Sequence, residues 1–223
     1  MTADALSALF AELGRLADLD RVDAELRRRG YARVAGVDEA GRGPLAGPVV
    51  AAAVILPEGC VLLGLDDSKK VEPEARERLD REIRARAVAV GVGAVSAAEI
   101  DAGDVLRASL TAMRQAVEAL AIAPDALVVD AVRVPRVRLP QVPVVHGDAL
   151  CASVAAASIV AKVARDRICE ELARRYPAYG FERHKGYGTP EHWDALQRCG
   201  PCPEHRLTYR GVVPDRAGKR IPS

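Results

Sequence analysis

The chain has 223 residues and a formal net charge of +1, and 49% of its residues are hydrophobic. A chain of this length can bury one sizeable core, and none of its apolar runs reaches the roughly 20 residues that cross a bilayer, so we expect no membrane span. Because the charge is nearly balanced, no global field draws the protein to nucleic acid, and any such binding must depend on local basic patches.

The amino-terminal region is predicted to be helical. Apolar residues recur at spacings of three and four from residue 3 to residue 29, which predicts an amphipathic helix or a helix pair that ends at Gly30. We assign residues 1–30 to this extension and residues 31–223 to one main domain, with a carboxy-terminal extension of helix and loop from about residue 177. The first residues lack a basic region followed by an apolar one, so we expect a cytoplasmic protein.

The rest of the chain mixes strands and helices. Short apolar runs bounded by glycine or proline predict strands at residues 31–38, 48–56, 88–95, 126–130 and 144–148. Helical spacing and capping residues predict helices at residues 73–86, 96–99, 104–120, 150–176 and 189–196. Three strands in succession, followed by alternating helices and strands, indicate an α/β fold in which helices flank a mixed sheet.

Two adjacent acids and a glycine-rich turn lie between the first two predicted strands. Asp38 and Glu39 end the first strand, the turn Gly41-Arg42-Gly43 follows, and the second strand begins a few residues later. Short apolar runs of this kind are typical of buried strands, so the acids stand where a strand leaves the core. Adjacent carboxylates at a strand end indicate a metal site or an acid–base pair.

The same glycines allow a second interpretation. The spacing Gly41-x-Gly43-x-x-x-Gly47 is loosely similar to a dinucleotide-binding loop, in which glycines let the backbone approach a pyrophosphate. That motif requires a helix directly after the loop. Here Pro48 and a β-branched, alanine-rich run follow instead, which favours a turn that joins strand to strand.

Four acids share the same predicted position. Asp38, Glu39, Asp130 and Asp148 each stand at the end of an apolar run. Carboxylates gathered at neighbouring strand ends repel one another and raise one another's pKa unless a cation lies among them. The pattern therefore predicts a site for a hard divalent metal, Mg²⁺ or Mn²⁺.

The five cysteines offer a second, weaker metal pattern. They lie at positions 60, 151, 169, 199 and 202. An odd, scattered set without an export signal argues against a disulfide framework. Cys199 and Cys202 with His205 have metal-like spacing, but no second pair completes a structural zinc site, so we favour an incidental pair.

These motifs together resemble the ribonuclease HII family, the bacterial type 2 ribonucleases H. The matching blocks lie in the family's order at residues 37–49, 67–70, 129–130, 147–148, 155–166 and 184–189. The first and fifth blocks are long and specific. Two positions depart from the family pattern: Ala131 stands where glycine is common, and His146 stands where lysine is common.

The resemblance implies a ribonuclease H-like fold and a metal-dependent endonuclease that cuts RNA in RNA–DNA hybrids. It also implies incision on the 5′ side of single ribonucleotides in duplex DNA, leaving 5′-phosphate and 3′-hydroxyl ends, for ribonucleotide excision and RNA primer removal. The family's catalytic and metal-binding acids map onto Asp38, Glu39, Asp130 and Asp148. A two-metal site with Mg²⁺ or Mn²⁺ would activate water and steady the leaving oxygen.

The resemblance also implies substrate-binding residues. The 2′-hydroxyl is the sugar group that distinguishes RNA from DNA, and the matching readers here are Gly41, Arg42, Gly43 and Tyr187. Phosphate contacts without sequence preference are implied for Ser68, Lys69, Lys162 and Arg165.

Some expectations stay open at this stage. We expect a structural or phosphate-contacting role for His184 rather than proton transfer. We expect a monomer and leave open a contact with a sliding clamp. The alternative function is a catalytically inactive module of the same fold that binds hybrids, for which a missing acid would be the mark; none is missing.

Overall fold

One mixed sheet organises the fold. The computed structural model describes residues 2–213, so the last part of the predicted carboxy-terminal extension lies outside the described residues. The strands are β1 Val34–Ala40, β2 Val49–Ile55, β3 Ala89–Val95, β4 Ala126–Asp130 and β5 Gln141–Val144. They lie in the order β3-β2-β1-β4-β5, with β1 antiparallel to β2 but parallel to β4. The prediction of a mixed α/β sheet is confirmed.

Helices precede, connect and follow the strands. They are α1 Ala3–Leu19, α2 Arg21–Arg28, α3 Pro73–Arg86, α4 Ala97–Asp101, α5 Val105–Glu118, α6 Gly147–Leu150, α7 Ala152–Arg175, α8 Phe181–His184 and α9 Pro190–Cys199. The predicted helices fall within a few residues of these bounds, and the predicted capping box at Ser96 and Glu99 is present. Within residues 2–213, no helix is both long and apolar enough to cross a bilayer.

Helices cover both faces of the sheet at very short range. An added Cβ at Gly36 of β1 would lie 2.0 Å from the backbone carbon of Ser153 in α7, and one at Gly91 of β3 would lie 2.1 Å from the backbone oxygen of Ala116 in α5. Such distances are far below any van der Waals contact, so only glycine fits at these positions. The glycines and alanines of the sequence therefore let α5 and α7 pack directly on the strands.

The fifth strand was predicted too far along the chain. β5 ends at Val144, and Asp148 lies in the helical turn α6 rather than at a strand end. His146 adopts a left-handed backbone conformation with φ of 59°. This conformation ends the extended run, because it turns the chain out of the strand direction before the fourth acid.

The amino-terminal helices are tied to the main domain through Asp23 of α2. Its buried carboxylate accepts hydrogen bonds from the Ser153 amide at 3.0 Å and the Ser153 hydroxyl at 2.7 Å, and the Cys151 thiol lies 3.2 Å away. These groups form the first turn of α7, whose free amides need an acceptor. The prediction of a helix or a helix pair is confirmed, and the structure shows a pair that Asp23 anchors to α7. The division at residue 30 stays a prediction.

Candidate active site

Two of the four predicted acids are neighbours on the sheet. The parallel register of β1 and β4 pairs Val37 with Val129, so Asp38 and Asp130 come next on adjacent strands. Val37 and Val129 pack in the core beside α5. Because side chains alternate along a strand, the Asp38 and Asp130 carboxylates both point to the opposite face, toward α7.

The other two predicted acids approach from either side. Glu39 is nearly buried, and its Oε1 lies 3.3 Å from Nη1 of Arg42. Asp148 is 7% exposed in α6, and the amide of its neighbour Gly147 donates to Asp130 Oδ1 at 2.8 Å. The structure therefore brings Asp38, Glu39, Asp130 and Asp148 to one end of the sheet.

Burial and neighbouring carboxylates favour the protonated forms of Asp38, Glu39 and Asp148. Burial, with the charges of Glu39 and Asp130, raises the pKa of Asp38 well above its ordinary value. Burial also raises the pKa of Glu39, although the Arg42 guanidinium opposes the shift. The pKa of Asp148 is raised by burial and by the nearby Asp67 and Asp130 carboxylates. A cation among the carboxylates would reverse these shifts.

The donor set fits a hard divalent cation, since carboxylate oxygens are the ligands that Mg²⁺ and Mn²⁺ prefer. The oxygens do not yet form a cradle: within residues 2–213, no three His, Cys, Asp or Glu side chains stand close enough to hold one ion. Asp38 Oδ1 accepts from the Glu39 amide at 2.7 Å, and Asp130 Oδ1 accepts from Gly147. Backbone amides thus occupy one oxygen of each of these two carboxylates.

The glycine-rich turn and Tyr187 lie against each other beside the acids. An added Cβ at Gly43 would lie 3.8 Å from Cε1 of the Tyr187 ring. The Leu45 amide donates to the Gly186 carbonyl at 2.8 Å, which joins the two loops. Tyr187 is 47% exposed, so its ring remains accessible to a ligand. The predicted sugar readers are thus adjacent in space although about 145 residues separate them in the sequence.

Arg165 does not face a substrate. Its side chain is 1% exposed, and it donates from Nε to the Pro48 carbonyl at 3.1 Å and from Nη2 to the Ala46 carbonyl at 3.2 Å. The guanidinium also lies 5.9 Å from the centre of the Tyr187 ring. Arg165 supports the loop after β1 from inside the protein, so the prediction of a phosphate contact at this residue is not supported.

The other predicted phosphate ligands differ in accessibility. Lys69 is exposed, and although partial burial opposes it, the charges of Asp67, Asp148 and neighbouring acids raise the pKa of its ammonium. Lys162 is partly buried and bound to Asp166 at 2.5 Å. Ser68 is buried, and its Oγ accepts a hydrogen bond from Ser158 at 2.8 Å. Lys69 is therefore the member of this set that a phosphate can reach directly.

The cysteine and histidine pattern near the carboxy terminus is part of a buried hydrogen-bond chain. Cys199 is exposed, whereas Cys202 and His205 are buried, and the Cys202 amide donates to His205 Nδ1 at 3.0 Å. His205 Nε2 lies 3.0 Å from His192 Nε2, and His192 Nδ1 lies 2.9 Å from the Tyr187 carbonyl. Cys199 therefore lies in a different environment from Cys202 and His205, and the incidental cysteine pair stays a prediction.

The groups at the two ends of this hydrogen-bond chain determine the tautomers of His192 and His205. The Tyr187 carbonyl can only accept, so His192 Nδ1 donates to it, and His192 Nε2 accepts from His205 Nε2. Burial lowers the pKa of His192 to about 4, which keeps its ring neutral at pH 7. His184 is likewise buried, with Nε2 2.8 Å from the Tyr179 carbonyl. A structural role for His184, as expected, fits this placement.

Comparison with known proteins decides the family. The family model described as Ribonuclease HII matches residues 35–212. The chain belongs to the ribonuclease HII family. A Ribonuclease HII of Geobacillus kaustophilus (strain HTA426) is 57% identical over 198 residues, which cover 89% of this chain and 76% of the relative. Like its relatives, this chain is a ribonuclease H, a hydrolase acting on RNA–DNA hybrids.

Solved structures share the fold of this ribonuclease HII family member. The crystal structure of ribonuclease H2 from Pyrococcus horikoshii OT3 matches with a TM-score of 0.68 at 29% identity, covering 79% of this chain and 93% of that one. Bst-RNase HIII in complex with Mn²⁺ matches with a TM-score of 0.61 at 19% identity, covering 80% and 67%. At 19% identity the second likeness shows the fold alone.

Two residues of this ribonuclease HII site were missed in the sequence analysis. Asp67 lies near Asp148, raises the pKa of that acid and so adds a fifth carboxylate to the cluster. The family block at residues 67–70 contained it, but only the serine and first lysine were assigned. Arg206 is fully buried and binds carbonyls of the glycine-rich turn. It lies in the predicted carboxy-terminal extension, where no local sequence pattern marks a buried arginine.

Proposed function

We propose that this ribonuclease H incises on the 5′ side of single ribonucleotides embedded in duplex DNA, as well as cutting RNA in longer RNA–DNA hybrids, and leaves 5′-phosphate and 3′-hydroxyl ends. The observation that carries the proposal is the contact between the glycine-rich turn and Tyr187 beside the acid cluster. A single ribonucleotide is enough for such a site, because the glycine-rich turn and Tyr187 would contact its 2′-hydroxyl while the neighbouring acids act on the phosphodiester bond beside it.

The four acids are the proposed catalytic residues. Asp38, Glu39, Asp130 and Asp148 would hold Mg²⁺ or Mn²⁺, which when bound supplies activated water and charge stabilisation for phosphodiester hydrolysis. Burial, together with neighbouring carboxylates, raises the pKa values of Asp38, Glu39 and Asp148, and a bound cation would offset the cost of keeping these acids ionised, which supports this role. The Mn²⁺ complex of Bst-RNase HIII, a protein of the same fold, is consistent with it.

The turn supplies hydrogen-bond donors for the sugar. Within residues 2–213, the amides of Arg42 and Gly43 donate to no protein acceptor. Gly43 leaves space at the Tyr187 ring, so the backbone can approach a 2′-hydroxyl closely while the phenol packs beside the sugar. A deoxyribose offers these donors nothing to bind, and the cost of leaving them unpaired discriminates against DNA.

Binding strength would come from sequence-independent phosphate contacts. Lys69 is exposed beside the acid cluster, where its ammonium can bind a backbone phosphate next to the cleaved bond. The neighbouring Ser68 is held from behind by the Ser158 hydroxyl of α7, whereas Lys162 pairs with Asp166 within α7. We further propose that the protein acts as a monomer in the cytoplasm, where such substrates arise during replication and repair.

The test is cleavage of a labelled DNA duplex that contains one ribonucleotide, with Mg²⁺ or Mn²⁺ present. An all-DNA duplex and a chelated reaction serve as controls. A single cut on the 5′ side of the ribonucleotide, absent from both controls, is the expected result. Cleavage of long hybrids without cleavage of this duplex would contradict the assignment of Gly41, Arg42, Gly43 and Tyr187. Binding without cleavage of either substrate would favour the inactive hybrid-binding module.

A further inference from the structure

The carboxy-terminal segment, residues 202–209, packs against the glycine-rich turn and donates hydrogen bonds to its backbone carbonyls. Arg206 is 0% exposed and donates to three backbone carbonyls, those of Gly41 at 2.5 Å, Arg42 at 2.8 Å and Gly47 at 2.8 and 3.0 Å. The Tyr209 hydroxyl donates to the Arg42 carbonyl at 2.6 Å and accepts from Arg206 Nη1 at 3.0 Å. A side chain more than 150 residues away thus fixes the turn from inside.

The segment itself is firmly anchored. The Asp101 carboxylate at the end of α4 accepts from the Leu207 amide at 2.7 Å and the Thr208 amide at 3.0 Å. The Gly47 amide donates to the Glu204 carbonyl at 2.8 Å on the other side. Because its own backbone is held on both sides of Arg206, the segment can impose a geometry on the turn rather than follow it.

Holding a carbonyl also aims the amide of the same peptide unit. In a planar trans peptide the C=O and N–H groups point in opposite directions. Arg206 binds the carbonyls of Gly41 and Arg42, so the amides of Arg42 and Gly43, which share those peptide planes, point away from Arg206. Neither of these two amides has an acceptor among the residues that the structure describes.

We propose that Arg206, assisted by Tyr209, is a positioning residue for ribose recognition. It holds the peptide planes of the glycine-rich turn so that two amide donors face the sugar of the scissile nucleotide. This inference rests on the proposed reading of the 2′-hydroxyl by that turn. Arg206 itself contacts no substrate, because its side chain is completely buried.

The same segment also reaches the other sugar-reading group. The hydrogen-bond chain from Cys202 through His205 and His192 ends on the Tyr187 carbonyl. One stretch of eight residues therefore supports both the turn and the tyrosine, which keeps their separation constant. Arginine is suited to holding the turn, since its planar guanidinium can donate to several carbonyls at once, whereas a lysine ammonium is a compact point charge.

The test compares Arg206→Gln and Tyr209→Phe with Arg167→Gln as a matched control. Arg167 makes its ion pairs with Glu77 and Asp80, outside the catalytic and sugar-reading groups. The substrate is the duplex with one ribonucleotide, measured beside a long hybrid. We expect kcat to fall about 10–100-fold in Arg206→Gln, as misplaced reacting groups cause, and severalfold in Tyr209→Phe, with KM and Mn²⁺ affinity changed less than about twofold.

The combined variant gives a second readout. Since Arg206 and Tyr209 act on the same carbonyl, their effects on kcat should not add. Wild-type kcat in folded Arg206→Gln, or equal loss in Arg167→Gln, would overturn the proposal. If Arg206→Gln does not fold, Tyr209→Phe decides, because it removes one hydroxyl and leaves the ring in place. A wild-type enzyme that ignores the single-ribonucleotide duplex would instead refute the proposed function.

Discussion

Asp38 is the buried centre of the acid cluster, and its replacement separates chemistry from binding. We expect Asp38→Asn to abolish cleavage, with a loss beyond the roughly 10–100-fold that even outer partners of a metal cost. Hybrid affinity should change little, because phosphate contacts such as that proposed for Lys69 remain. Cleavage assays with Mn²⁺ and filter binding of the same hybrid measure both effects. Retained full activity would remove this acid from the mechanism.

The Tyr187 ring is exposed, whereas its backbone is held by the hydrogen bond between the Tyr187 carbonyl and His192. Tyr187→Ala should reduce cleavage at a single ribonucleotide about tenfold or more, whereas the free energy of unfolding should fall by less than about 1 kcal/mol, since the ring is 47% exposed. Steady-state kinetics and urea unfolding of the same preparation provide the comparison. An unchanged rate on the single-ribonucleotide duplex would exclude the assigned role.

Ala131 follows Asp130 with a positive φ of 54°, a conformation that costs an L-residue with a Cβ about 1 kcal/mol. The family's usual glycine avoids this cost. We expect Ala131→Gly to raise the free energy of unfolding by about 0.5–1 kcal/mol, after allowing for the greater freedom of glycine in the unfolded chain. Ala131→Val is the opposite control and should lower stability. Denaturant unfolding that ranks glycine below alanine would contradict the argument.

At the scale of elements, α2 depends on one buried carboxylate. Asp23→Asn should lower the free energy of unfolding by about 1–3 kcal/mol, because an amide cannot accept from both the amide and the hydroxyl of Ser153 as the carboxylate does. Asp18→Asn in α1 is the control, since the Asp18 carboxylate pairs with Arg21 and both side chains are exposed. Equal effects of the two variants would mean that α2 is not anchored through Asp23.

The sequence predicted elements better than it predicted what their side chains do. Apolar runs and caps placed α1 to α5, α7, α9 and β1 to β4 within a few residues but missed the short helices α6 and α8. The acids at Asp38 and Asp130 followed from strand ends. Asp148 was misassigned to a strand because the left-handed turn at His146 has no signal in a chain without glycine there. Arg165 and Arg206 bind backbone carbonyls, and since every residue has a carbonyl, sequence gives no sign of such partners.

At the scale of the whole molecule, the acid cluster makes stability depend on pH. The folded pKa of Asp38 is raised above its unfolded value near 3.9. Its protonation therefore adds stability below pH 4, and this stability is lost as the pH rises through the folded pKa. In chelator, we expect wild type to lose stability relative to Asp38→Asn by up to about 1.4 kcal/mol per pH unit in that interval.

Divalent ions should make wild type more stable than Asp38→Asn, the reverse of the order expected in chelator. Saturating Mn²⁺ at pH 7 should raise the melting temperature of wild type more than that of Asp38→Asn, because an ion that binds the folded state stabilises it. Thermal unfolding from pH 4 to pH 8, with chelator and with Mn²⁺, measures both effects. A pH-independent difference between the two proteins would show that the Asp38 carboxylate is not the titrating group.

The link between Arg206 and Gly41 spans 165 residues, which has a consequence for biosynthesis. During translation, the acids at 38, 39, 130 and 148 all leave the ribosome before residue 206 does. A nascent chain can thus assemble its acid cluster while the turn that recognises ribose still lacks its support. If Arg206 positions the turn as proposed, sugar-selective cleavage begins only after residue 206 has left the ribosome, and chains that stall or are truncated before that point are released without it.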